Sequence, residues 1–182
     1  MNKYILFIFS FLNFFSKEPE YETLSKKIIE DYRKEVLEPN GLFIYGLGGS
    51  SDEGGIKTIN ITVAKLGPGS LKEGRKLLLF LVDDLLKRYN DDIDMRKFLI
   101  NYPFTPTHLA YGISYMKPTG RSWVFDKEKN QEDQIALIDV FSEKISYNIK
   151  LSDKIEPFVE IHSETYEEAK KIVDDENDKS SR

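Results

Sequence analysis

The sequence predicts an α+β fold: a single domain with a mostly antiparallel sheet of about five to seven strands and about three to four helices packed on one face. Three observations predict it. Short segments alternate apolar and polar residues between Gly, Pro, Asn and Asp clusters, which reads as strands joined by hairpins. Other segments repeat apolar residues at helical spacing, so each of those helices has one stripe to bury. The resulting order is α-β-β-α-α-β-β-β-β-β-α, and its hairpin connections imply antiparallel neighbours.

The first helix starts at Thr23. Leu24, Ile28, Ile29, Tyr32, Val36 and Leu37 form its stripe, and Pro39, Asn40 and Gly41 end it. Leu42–Leu47 is a short apolar strand. The run 48–55 (GGSSDEGG) reads as a flexible loop. Ile56–Leu66 follows as a half-buried strand, with Ile59, Ile61 and Val63 on one face and Thr58, Asn60 and Thr62 on the other.

Gly67, Pro68 and Gly69 break the chain. Ser70 and Glu73 form a capping box that opens the strongest helix, which runs to about Tyr89. Its centre, LLLFLV, is apolar all round, so more than one side is buried. A shorter helix spans Asp94–Ile100. Pro103 and Pro106 prevent its continuation.

Leu109, Tyr111, Ile113 and Tyr115 alternate along the next strand. A turn at Lys117–Gly120 returns the chain into a strand over Arg121–Asp126. After a loop, Ile135–Phe141 and Ile145–Leu151 form the clearest hairpin. A short strand at Phe158–Ile161 and a helix from about Glu164 to Asp174 close the domain. Asp174–Arg182 reads as a disordered polar tail.

The first sixteen residues, MNKYILFIFSFLNFFS, carry one lysine and then an apolar run. That is the form of an export signal, with Ser16 before the cut. Phe14 stands where export peptidases favour a small residue, so an uncleaved anchor is the alternative. The apolar run is shorter than the ~20 residues a membrane-spanning helix needs, and no stable insertion is expected once the leader is gone. The expected location is the periplasm, cell envelope or extracellular space.

Cysteine is absent, which excludes disulfides, cysteine zinc sites and a cysteine nucleophile. Net charge is −5 and becomes one unit more negative without Lys3. An acidic chain with no basic stripe disfavours nucleic acid. The richness in Lys, Asn, Ile, Phe and Tyr fits the AT-rich genome of some bacteria.

Most chemical motifs fail on spacing. The glycines at 46, 48 and 49 lead through Asp52 and Glu53 into a strand, where a phosphate cradle needs a helix N-terminus. His108 and His162 lie at strand ends, without HExxH or GxSxG. Asp91, Asp92 and Asp94 offer oxygen ligands for calcium but lack the EF-hand glycine and distal glutamate, and helix capping by Asp91 or Asp92 explains them more simply. No metal site and no cofactor is expected.

The aromatic set Tyr111, Tyr115, Trp123 and Phe125 is the more informative signal. Residues of equal parity on paired strands share a face, which here would bind a sugar, a peptide or a partner protein. The packing alternative is that this face lies under the helices as core. Tyr102 and Phe104, in the tract 101–107 (NYPFTPT), are candidate contacts on a recognition loop.

The apolar helix ending in Tyr89, Asn90 and Asp91, the run FLINYPFT and the strand LAYGISYM resemble small exported bacterial proteins without assigned activity. The resemblance spans about the middle half of the chain and transfers no functional residue. It implies an exported, non-enzymatic protein. The leading expectation is therefore a binding module whose partner is a protein or an envelope or host component. The alternatives are an exported hydrolase with a dispersed site around His108 or His162, and a membrane-tethered structural protein.

Overall fold

A computed structural model describes residues 18–52, 54–154 and 157–180. Residues 1–16, read above as a leader, lie outside the described residues. The elements are α1 (Glu20–Tyr32), β1 (Leu42–Asp52), β2 (Gly55–Leu66), α2 (Leu71–Asp91), α3 (Ile93–Arg96), β3 (Leu109–Met116), β4 (Leu137–Phe141), β5 (Lys144–Ile149), β6 (Val159–Thr165) and α4 (Tyr166–Ser180). The fold is α+β, as the alternating segments and one-sided helices predict.

All six strands form one sheet in sequence order. Four of its five pairings are antiparallel and β2–β3 is parallel. The reason lies in the connections. Tight hairpins join β1 to β2 and β4 to β5, whereas α2 and α3 carry the chain across the sheet face back to the start of β3, and such a helical crossover sets a strand parallel.

The core lies between α1, α2 and α4 and one sheet face. Ile59, Ile61 and Val63 of β2, Tyr111 and Ile113 of β3, Ile138 and Val140 of β4, and Ile145 and Tyr147 of β5 are buried there. Gly74 lets α2 approach closely, since a Cβ at that position would fall 2.1 Å from Ile138 Cδ1. The opposite face has small residues at its centre, among them Thr62, Ala110, Gly112 and Ser114.

Local signals hold where side chains cap backbone. Ser70 Oγ accepts from the Glu73 N–H at 3.2 Å. Asp92 Oδ1 accepts from the Met95 N–H at 2.8 Å, so capping accounts for that carboxylate. Asn90 clamps the NYPFTPT tract, donating to Phe104 O at 2.8 Å and accepting from its N–H at 2.7 Å.

Three segments depart from the sequence reading. The glycine-serine run extends β1 to Asp52 and is not a loop, because each residue finds a partner on β2. Ser50 and Thr58 hydroxyls also meet at 2.8 Å. Arg121–Asp126 is not a strand. Its backbone bonds are isolated and form no ladder, with Trp123 N–H donating to Tyr115 O and Phe125 N–H to Lys150 O, both at 2.8 Å. The C-terminal helix continues to Ser180 through residues read as a tail. Glu176 there pairs with Lys72 at 3.4 Å and with Lys76 at 3.0 Å on α2.

Candidate functional site

The face without helices holds a cleft of about 680 Å³. That volume lies within the range of small-ligand sites, ~300–1,000 Å³. Thr62 of β2, Ser114 of β3 and Leu137 of β4 line it. Ser114 pairs directly with Ala64 and Leu137, and Gly112 pairs with Thr62, so side chains at the centre are short. Strand register thus leaves the depression that the walls enclose.

The walls come from irregular segments. Tyr45 sits at the β1 bulge between Ile44 and Gly46 and is 63% exposed. The turn 117–121 is closed by the Lys117 N–H to Arg121 O bond at 2.7 Å. Gly120 holds φ +79°, a conformation that side chains resist. This turn presents Arg121 and Ser122. The segment 150–154 and Phe158 form the other wall.

The chemistry of the cleft is cationic and aromatic. Arg121 and Lys154 form no ion pair among the described residues. Lys150 Nζ lies 5.0 Å from the Phe158 ring centroid. Lys117 neutralises Asp153 through both carboxylate oxygens at 3.2 Å. Arg121 and Lys154 therefore line the cleft beside Lys150 and two exposed rings, on a chain whose net charge is −5. Such a site can hold an anionic group and stack a flat or apolar surface beside it.

Further along the same open face, β4 and β5 carry a polar cluster. Asn148 donates to Asp139 Oδ2 at 3.1 Å. Burial, and then the neighbouring Glu160 charge, push the Asp139 carboxyl up. Lys144 and the Ser146 hydroxyl bind Glu160 at 2.8 and 2.9 Å and hold that carboxyl down.

The predicted contact residues do not come together. Tyr111 and Tyr115 are buried in the core, as the packing alternative has it, and cannot present a surface. Phe104 is buried too, stacked between Tyr89 and His108 at centroid distances of 6.4 and 5.2 Å. Trp123 is half-buried beside Tyr115 and packs against the core. Tyr102 alone of the five is open, 50% exposed with the Arg96 guanidinium 5.6 Å from its ring centre.

Among the described residues neither histidine is bonded to both a carboxylate and a hydroxyl. His108 Nδ1 accepts from the Thr105 N–H at 3.1 Å and meets the Thr105 and Thr107 hydroxyls, with no carboxylate bonded to it among the described residues. His162 Nε2 lies 3.7 Å from Glu164 Oε2, with no hydroxyl bonded to it among the described residues. Among the described residues no group of three or more His, Asp or Glu side chains is placed to hold a metal ion. No helix among them is long and apolar enough to cross a membrane.

Sequence reasoning missed Tyr45, Phe158, Arg121, Lys150 and Lys154, because they are scattered over four segments that only the sheet assembles. Lone cations in turns look like ordinary solvated residues in one dimension. The only available signal was the clustering of Lys and Arg around Gly120 and Asp153, and it is weak.

Compared with known proteins, the chain matches no family model, no curated protein and no solved structure.

Proposed function

We propose that the protein is a non-enzymatic binding module that works outside the cytoplasm and takes an anionic partner on the open sheet face. The partner is an acidic glycan or an acidic protein surface of the cell envelope or a host. One observation carries this reading: Arg121, Lys150 and Lys154 gather around Tyr45 and Phe158 in one cleft of an acidic chain. Clustered cations repel one another and so do little for stability alone, but they draw in an anion. Two rings beside the cations add apolar stacking, which carbohydrate and peptide partners both reward.

The export signal expected in residues 1–16 supports the location. A cleft lined by cations and rings on the face without helices supports binding.

Immobilised polygalacturonate and neutral dextran test the reading. The full chain should be retained on the acidic polymer at low salt and released as salt rises, with dextran retaining none. Arg121→Glu with Lys154→Glu should abolish retention while thermal stability stays the same. Equal retention on both polymers, or retention that survives the double charge reversal, contradicts it.

A further inference from the structure

We propose that the open-face cleft selects an acidic sugar whose neighbour in the glycan is neutral. The acidic unit sits against Arg121 and Lys154, and the neutral unit lies over Asp139 and Asn148. This deepens the anion-binding reading and rests on it.

Strand register places the two halves of the site side by side. Leu137, which lines the cleft, pairs with Ser114 on one side and with Asn148 on the other. Asp139, two residues along β4, pairs with Gly112 and Ser146. Ile138 and Val140 are buried under the helices, so Leu137 and Asp139 both face the open side. Side chains two apart on a strand share a face and stand ~7 Å from each other. The row of Gly112, Asp139 and Ser146 therefore continues the cleft by a step comparable to the length of a sugar ring. Gly112 brings no side chain to that row.

The chemistry changes sign across the step. At the cleft end the charged groups are cations. In the next row Asp139 forms no ion pair among the described residues, and the nearby Glu160 already holds Lys144 at 2.8 Å. A second carboxylate seated there would meet the Asp139 charge with no cation to offset it. A hydroxyl would find acceptors instead. Asp139 Oδ2 accepts from Asn148 at 3.1 Å, and its Oδ1 accepts nothing among the described residues. Ser114 and Asn148 are each only 8% exposed. Neither the Ser114 hydroxyl nor Asn148 Oδ1 has a hydrogen-bond partner among the described residues. Largely buried polar atoms left open in this way match a ligand that carries hydroxyls, since nearly all such atoms in folded proteins are paired.

A uniformly acidic glycan carries a charge on every unit. Seating one unit in the cleft sets the next over Asp139, and like charges ~7 Å apart lie within the ~10 Å screening length at 0.1 M salt. A glycan that alternates acidic and neutral units avoids that repulsion and gains the hydroxyl contacts.

The test is calorimetric titration of the full chain with two trimers of one backbone. The first is trigalacturonate. The second is trigalacturonate with both outer carboxylates as methyl esters, so that its acidic unit has neutral neighbours in either direction. Attraction to the cations alone favours the first, which carries more charge. We expect the opposite order, with the diester binding roughly fivefold or more tighter. Asp139→Asn removes the charge and keeps an acceptor oxygen, so it should erase the preference by tightening the fully acidic trimer. Arg121→Glu should weaken both trimers. A fully acidic trimer that binds as tightly as the diester, or a preference that survives Asp139→Asn, overturns this inference and leaves the anion-binding reading standing. Failure of both trimers to bind overturns both.

Discussion

Tyr32 of α1 and Tyr111 of β3 meet hydroxyl to hydroxyl at 2.8 Å beneath the helices. Tyr32 donates to Leu81 O at 3.0 Å, so Tyr111 is the donor to Tyr32. The bond joins the first helix, the central helix and a central strand through two rings that water does not reach. A buried hydroxyl with its partner missing is destabilising by ~1–3 kcal/mol, so the two tyrosines are a matched pair.

Burial holds this and other tyrosines in the neutral form. Tyr89 and Tyr115 are pushed up to about 12, and Tyr32, Tyr111, Tyr147 and Tyr166 are raised as well, with burial the largest cause in each. Their folded values exceed the unfolded value of about 10. The stability they confer is thus intact below about pH 10 and lost as pH rises through the folded values. The tyrosine contribution to denaturant midpoints should be constant up to that pH and fall above it, and tyrosinate absorbance of the buried set should appear together with unfolding. Ionisation of that set while the fold persists would contradict the burial argument.

Arg75 of α2 donates to Glu164 of β6 at 2.7 Å, with side chains only 8% and 5% exposed, and the Tyr147 hydroxyl donates to the same oxygen. Removing one member strands a buried charge. Arg75→Met alone should cost about 3–5 kcal/mol. Combining it with Glu164→Leu should recover much of that loss, because the charge leaves with its partner. Urea unfolding of the parent, both single variants and the double variant measures this. A double variant as unstable as the two single losses added would show that the pair is not coupled.

Asp139 is held above its usual range by burial and then by Glu160. A carboxyl raised on folding supports the fold fully below its unfolded pKa, and that support is lost as pH rises through the folded value. Asp139→Asn should therefore be more stable than the parent at neutral pH and match it in acid, since the amide oxygen still accepts from Asn148. Melting temperatures at both pH values test the sign. A variant less stable at neutral pH would mean that the ionised carboxylate is favoured in the fold.

Much of the fold was legible because local chemistry and tertiary structure agree. Ser70 caps α2, Asp92 caps α3, and the parity of Ile59, Ile61 and Val63 marks the core face. The parallel β2–β3 pairing was readable in principle, since two helices separate those strands. Other features depended on distant partners. Glycine and serine at 48–51 take up strand structure only because β2 lies alongside. Gln134 is buried and organises the 126–134 loop through bonds to Asp126 O at 2.9 Å and Asn130 O at 3.1 Å, a role that composition hides. Parity placed Tyr111 and Tyr115 on one face but did not say which face the helices cover. The cleft was invisible for the same reason, as its cations and rings share no segment.

The most direct measurement is an amide chemical-shift titration of the isotope-labelled full chain with trigalacturonate, and with the neutral galactose trimer as control. Saturable shifts are expected from the acidic trimer alone, concentrated at Ser114, Arg121, Ser122, Lys150 and Lys154 and at the Tyr45 bulge. Shifts of equal size from both trimers, or acidic-trimer shifts that leave those residues unmoved, would contradict an anion-binding open face.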